Sequence, residues 1–121
     1  MAKCDEGYLC EVCGQEVEGI VESDLYLRFV IGEVDPERLH TLPERHIACN
    51  PVLAQFIDAD GFQFEQEVPE GFDRKSLDED YVRARSALVT RGWLRLQELA
   101  GLGEDFPIHQ YPLGEVQEKW Q

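Results

Sequence analysis

The most regular stretch of the chain is Leu25-Tyr26-Leu27-Arg28-Phe29-Val30-Ile31, whose odd positions are all apolar. Alternation with period two predicts a strand, closed by Gly32. Val17, Gly19 and Val21 share one parity and predict a weaker strand before it, with Glu22-Ser23-Asp24 as the turn of an antiparallel hairpin. Phe62, Phe64, Gln66 and Val68 alternate with Gln63, Glu65 and Glu67. That pattern predicts a half-exposed strand stopping before Pro69-Glu70-Gly71.

Helix signals fill the gaps. Asp35-Pro36 pairs a capping side chain with a proline suited to the first helical position, predicting a short helix to about Leu39 or His40. Thr41-Leu42-Pro43-Glu44 offers a second cap, for one or two turns to Arg45. Asn50-Pro51 repeats the device, and Val52, Leu53, Phe56 and Ile57 supply an apolar face before Asp58-Ala59-Asp60-Gly61 ends it. Ser76 with Glu79 forms a capping box, with Asp78 and Asp80 adding favourable negative charge to the first turn. Leu77, Tyr81, Ala84 and Leu88 then form an apolar stripe that fails at Gly92, and Val89, Trp93, Leu96 and Ala100 resume it one position over. One long helix over 76–101, with room for a kink near Arg91-Gly92 and Trp93 facing the core, satisfies both series. In the tail, 105–121, Leu113, Val116 and Trp120 share one side of a final turn or two. Together these elements predict a single α+β domain over 1–121. A small β-hairpin and short-helix half packs against the long C-terminal helix, and the tail covers what remains.

The chain has 121 residues and a formal charge of −14, unevenly placed. Residues 1–72 carry sixteen acids and four bases, whereas 73–121 carry nine acids and seven bases. An acidic surface repels phosphate backbones and favours basic partners, so nucleic acid is disfavoured as a ligand. Arg83, Arg85, Arg91 and Arg95 form no clean stripe; they suit pairing with acids of the first half, or self-association of a basic helix with another copy's acidic half. No segment reaches the apolar length of a membrane span, and Met1-Ala2-Lys3-Cys4-Asp5-Glu6 lacks a signal-peptide core. Cytoplasmic location is the default expectation.

The cysteines are Cys4, Cys10, Cys13 and Cys49. In a reducing compartment a Cys-x-x-Cys pair points to metal or redox chemistry rather than to disulfides. Cys10-Glu11-Val12-Cys13-Gly14 has the spacing of a metal knuckle, with Gly14 free to take the positive backbone angle that closes a thiolate-wrapped turn. His46-Ile47-Ala48-Cys49 places a second pair just ahead of the Asn50-Pro51 helix, whose N-terminus favours thiolate at Cys49. Four such donors make a tetrahedral Cys3His site for one structural Zn2+ per chain. Cys4 competes with His46 as the fourth ligand. His40 in its charged surroundings and His109 between two prolines suit no site. The dithiol alternative, with Cys10 and Cys13 exchanging redox states, wants a helix starting at the first cysteine, and strand-like residues follow instead. A metal-dependent hydrolase needs an open coordination position with a proton carrier such as Glu11, Glu44 or His40 beside it.

The knuckle Cys10-x-x-Cys13-Gly14, the hairpin-like stretch after it, and His46-x-x-Cys49 leading into Asn50-Pro51 resemble the treble-clef zinc-finger group over residues 10–57. In that group the knuckle gives two ligands and the helix N-terminus two more. The chain departs from it in the long insertion carrying Asp35-Pro36, and in His at the first downstream position. The resemblance implies a zinc-held fold without implying an activity. A zinc-stabilised structural or adaptor protein that meets a protein partner through its acidic surface is the function expected. A metal-dependent hydrolase, a dithiol redox protein and a nucleic-acid-binding zinc finger are the alternatives.

Overall fold

The structure, a computed structural model, describes residues 8–39, 41–64, 67–102 and 106–119. Cys4, His40 and Trp120 lie outside them, so what is expected of those three residues has no structural counterpart. The protein is mostly helical. Two two-residue strands, β1 (Tyr8–Leu9) and β2 (Glu16–Val17), pair antiparallel, with Tyr8 opposite Val17 and Leu9 opposite Glu16. The helices are α1 (Asp24–Val30), α2 (Pro51–Ala54), α3 (Glu79–Ala100) and α4 (Gly114–Lys119), with short 3-10 turns at Ile20–Glu22, Ile47–Cys49, Arg74–Ser76 and Ile108–Gln110.

The largest correction concerns 25–31. The expected strand is helix α1, and the expected hairpin does not form. Ser23, read as a turn residue, is the N-cap: its hydroxyl accepts from the Tyr26 N–H at 3.0 Å. The even positions Tyr26 and Val30 are as deeply buried as Leu25, Leu27 and Phe29, so the segment is apolar nearly all round. A short run of that kind fits a buried helix as well as a strand, and a cap in front of it decides the matter. Ile20–Glu22 is likewise a 3-10 turn rather than strand, and the described part of 62–68 has no ladder partner. Its Phe62 and Phe64 instead pack on the core from an irregular segment. Asp35 caps the Arg38 N–H at 3.0 Å, but the residues after it form turns and not a helix.

The long helix begins two residues later than its capping box suggests. Ser76 ends a 3-10 turn capped by Asp73, and Asp78 caps α3 by accepting from the Tyr81 N–H at 3.1 Å. The buried face runs through Ser86, Val89, Gly92, Leu96 and Leu99 as one register with no slip. The apparent failure of the stripe at Gly92 has a packing reason. A Cβ at Gly92 would lie 2.4 Å from Ile31 Cγ2 and 3.0 Å from Leu27 Cδ1, so α3 packs closely here on side chains of α1 and of its C-cap, Ile31. Tyr81 and Ala100, counted as core by the pattern, are exposed. Trp93 is half-buried and meets Phe62 edge to face, centroids 5.7 Å apart.

The described part of the tail packs on α1. The Leu113 N–H donates to the Val30 carbonyl at 3.0 Å, Leu113 and Val116 are buried, and the Tyr111 ring lies 6.1 Å from Tyr26. Five bridges engage the arginines from 74 to 95: Arg74 with Asp58, Arg83 with Asp80, Arg85 with Glu33, Arg91 with Glu115 and Arg95 with Glu98. Two of those acids, Asp58 and Glu33, come from the acidic first half. No helix among the described residues is long and apolar enough to cross a membrane.

Candidate metal centre

The knuckle is built by backbone geometry. Cys10 N–H donates to the Gln15 carbonyl at 2.8 Å and Gly14 N–H to the Cys10 carbonyl at 3.0 Å, while Gly14 takes φ +77° to close the turn. The short β1–β2 pair holds its two ends together. The downstream ligand segment is tied to the same place. Glu11 N–H donates to the Glu44 carbonyl, Asp24 N–H donates to the Arg45 carbonyl, and Ser23 and His46 form an antiparallel bridge.

This folding brings Cys10, Cys13, His46 and Cys49 into one cluster, with the three Sγ atoms and one imidazole nitrogen all within 4.8 Å of one another. All three thiols are free. His46 Nδ1 lies 3.4 Å from Cys13 Sγ and 3.8 Å from Cys49 Sγ. A tetrahedron with Zn–S of about 2.3 Å and Zn–N of about 2.0–2.1 Å has edges of roughly 3.5–3.8 Å, so these two separations suit a shared ion. The other ring nitrogen, Nε2, is 2.9 Å from the Glu16 carbonyl and donates to it, which leaves Nδ1 with its lone pair facing the sulfurs. Cys10 is buried, His46 and Cys49 are half-buried, and Cys13 is exposed at the rim. His109 is exposed on the 3-10 turn before Tyr111 and is not part of the cluster.

Cys10 Sγ accepts from two backbone N–H groups, those of Val12 and His46, each at 3.4 Å. Burial alone pushes the Cys10 thiol up. The backbone N–H groups of Cys13, His46 and Val12 outweigh it and lower the thiol to about 6. Cys49 behaves in the opposite way. Burial first, then the hydrogen bonds and charge of the Cys10 and Cys13 sulfurs, push it up to about 12. Burial and the neighbouring sulfurs thus oppose the thiolate that a helix N-terminus favours at Cys49. Helix α2 is a single turn of four residues, and two neighbouring sulfurs dominate it.

Sequence reasoning missed the support behind the cluster. Asp24 is wholly buried at the start of α1. Its Oδ2 accepts from Arg28 Nε at 2.8 Å and from Arg45 Nε and Nη2 at 3.1 and 2.9 Å, and its Oδ1 from Asn50 Nδ2 at 2.9 Å. Arg45 and Asn50 bracket the ligand segment 46–49, so one carboxylate fixes both of its ends. Asn50 accordingly does not cap α2 with its side chain, contrary to the sequence signal. Glu44, equally buried, accepts from Ser23 Oγ at 2.8 Å. Ser23-Asp24 before an apolar run is an N-terminal helix signal, and recognising it would have placed both residues at this junction.

Fold and site together define a small, mostly helical protein with a Cys3His cluster consistent with metal binding. The two ligand-bearing pieces of the treble-clef resemblance, knuckle and pre-helical pair, occur here, but the hairpin between them is replaced by α1. Comparison with known proteins finds no matching family model, no matching curated protein and no matching solved structure.

Proposed function

We propose that Cys10, Cys13, His46 and Cys49 hold one structural Zn2+, and that the chain acts as an adaptor whose acidic surface meets a protein partner. The convergence of four soft donors within 4.8 Å carries the metal half of this reading. A set of three sulfurs and one imidazole nitrogen suits Zn2+ in preference to hard cations. With all four positions taken by protein, the ion fastens the knuckle to the segment before α2 and has no vacant place for a substrate. That supports a structural zinc-finger role over hydrolysis. The knuckle's two-residue strands, with no helix starting at Cys10, give the dithiol alternative little support. The adaptor half rests on the charge of −14 and on arginines that already answer to acids of their own chain. The same pairing speaks against a nucleic-acid-binding finger.

Metal analysis of protein purified without added metal tests the proposal. One zinc per chain is expected, lost in His46→Ala and Cys13→Ala and kept in Cys4→Ala and His40→Ala. Retention of zinc in His46→Ala together with its loss in Cys4→Ala would reassign the fourth ligand to Cys4. Absence of metal from the unaltered chain would end the structural-zinc reading.

A further inference from the structure

We infer that the groove between the ligand-bearing turn and α3 is the docking site for a lysine- or arginine-bearing segment of a partner protein; this rests on the adaptor reading above and locates it. The groove encloses about 440 Å³. Val21, Ile47 and Ala48 contribute its apolar lining. Phe62 and Trp93 line it as well, their rings 5.7 Å apart at 70°, so an incoming group meets aromatic surface in two orientations.

The polar groups identify the occupant by charge. Glu22, Gln63 and Gln97 are the polar residues away from the cluster, and no lysine or arginine lines the groove among the described residues. His46 and Cys49 also line it. Three thiolates around a divalent ion leave that centre with a net charge of about −1, so the cluster and Glu22 both favour a cation. Trp93 offers the indole face that attracts ammonium or guanidinium groups most strongly, and an aliphatic stem suits the apolar lining. Arg91 and Arg95, elsewhere on α3, are held by Glu115 and Glu98. The larger cavity beside α3 does not share this character. It is lined by Arg74, Arg83 and Arg91, each bridged to an acid of the same chain.

The test is an NMR titration of the zinc-loaded full chain with a blocked peptide of alternating lysine and glycine, and with its glutamate counterpart. The lysine peptide is expected to move the Trp93 indole N–H resonance, more weakly as salt is raised, and the glutamate peptide to leave it in place. Gln97 is exposed in the last turn of α3, so charge changes there spare the core. Gln97→Lys is expected to weaken lysine-peptide binding about threefold and Gln97→Glu to strengthen it about threefold. Glu70→Lys alters net charge twice as much, but at an exposed turn outside the groove lining, and is expected to change binding less than Gln97→Lys does. An unmoved Trp93 resonance, or a larger effect from Glu70→Lys than from Gln97→Lys, overturns the inference. Zinc content measured on the same samples separates the two proposals. Full zinc with no Trp93 response sinks the groove and leaves the metal centre standing, whereas a Trp93 response in zinc-free protein supports the groove and sinks the structural zinc.

Discussion

Gly92→Ala sets two effects of known size against each other at the contact between α1 and α3. Alanine is favoured over glycine inside a helix by about 1 kcal/mol, so an exposed Gly92 would gain stability from the change. Gly92 is buried, and the added Cβ would stand 2.4 Å from Ile31 Cγ2, 3.0 Å from Leu27 Cδ1 and 3.5 Å from Val30 Cγ2. Ile31 is only 5 % exposed and β-branched, so its methyl group has little freedom to retreat. Overpacking of this kind costs about 1–3 kcal/mol, and the overlap outweighs the propensity gain. A net loss of about 1–2 kcal/mol is expected. With a urea m-value of about 1–3 kcal/mol/M, the unfolding midpoint falls by about 0.5–1 M at fixed zinc concentration. Ile31→Ala removes the obstructing methyl, so Gly92→Ala made in that background should cost less, with a coupling of about 1 kcal/mol. A midpoint that rises in Gly92→Ala would show that helix propensity alone governs this position and that α1 and α3 do not meet as described.

Asp24→Ala leaves the partly buried guanidinium groups of Arg28 and Arg45 without their shared carboxylate and should cost about 3–5 kcal/mol in urea unfolding; a change under 1 kcal/mol would remove Asp24 from its supporting role. Hydrogen bonds from Arg74, opposed by burial, hold the Asp58 carboxyl below its ordinary value. Its contribution to stability is therefore complete above the unfolded value of about 3.9 and fades as pH falls through the lowered folded value. Arg74→Met should flatten the acid limb of a stability–pH curve in that window, and an unchanged limb would refute the linkage. The metal-free Cys49 thiol, pushed up to about 12, carries a proton at neutral pH. Zinc uptake should release it, measurable as buffer-dependent heat in a calorimetric titration, and heats identical across buffers would contradict the assignment.

The cluster was legible because its donors come in two close pairs whose spacing survives any arrangement of the intervening chain. What lies between Cys13 and His46 was not. Leu25 to Ile31 satisfies the strand period only because Tyr26 and Val30 are also available for burial, and a segment enclosed on all sides loses the contrast on which period reading depends. The cap at Ser23 carried the missing information. In α3 the true core register contains Ser86 and Gly92, which count as polar or blank in an apolar tally. Both are small, and at Gly92 smallness is what lets the helices meet. The tautomer-setting contact of His46 with the Glu16 carbonyl leaves no trace in side-chain identity, because the acceptor is backbone.

X-ray absorption at the zinc edge of the metal-loaded chain tests the central claim most directly. Three sulfurs at about 2.3 Å and one nitrogen at about 2.0–2.1 Å are expected, as Cys10, Cys13, Cys49 and His46 require. Four sulfurs, or a shell completed by water oxygen, would contradict it.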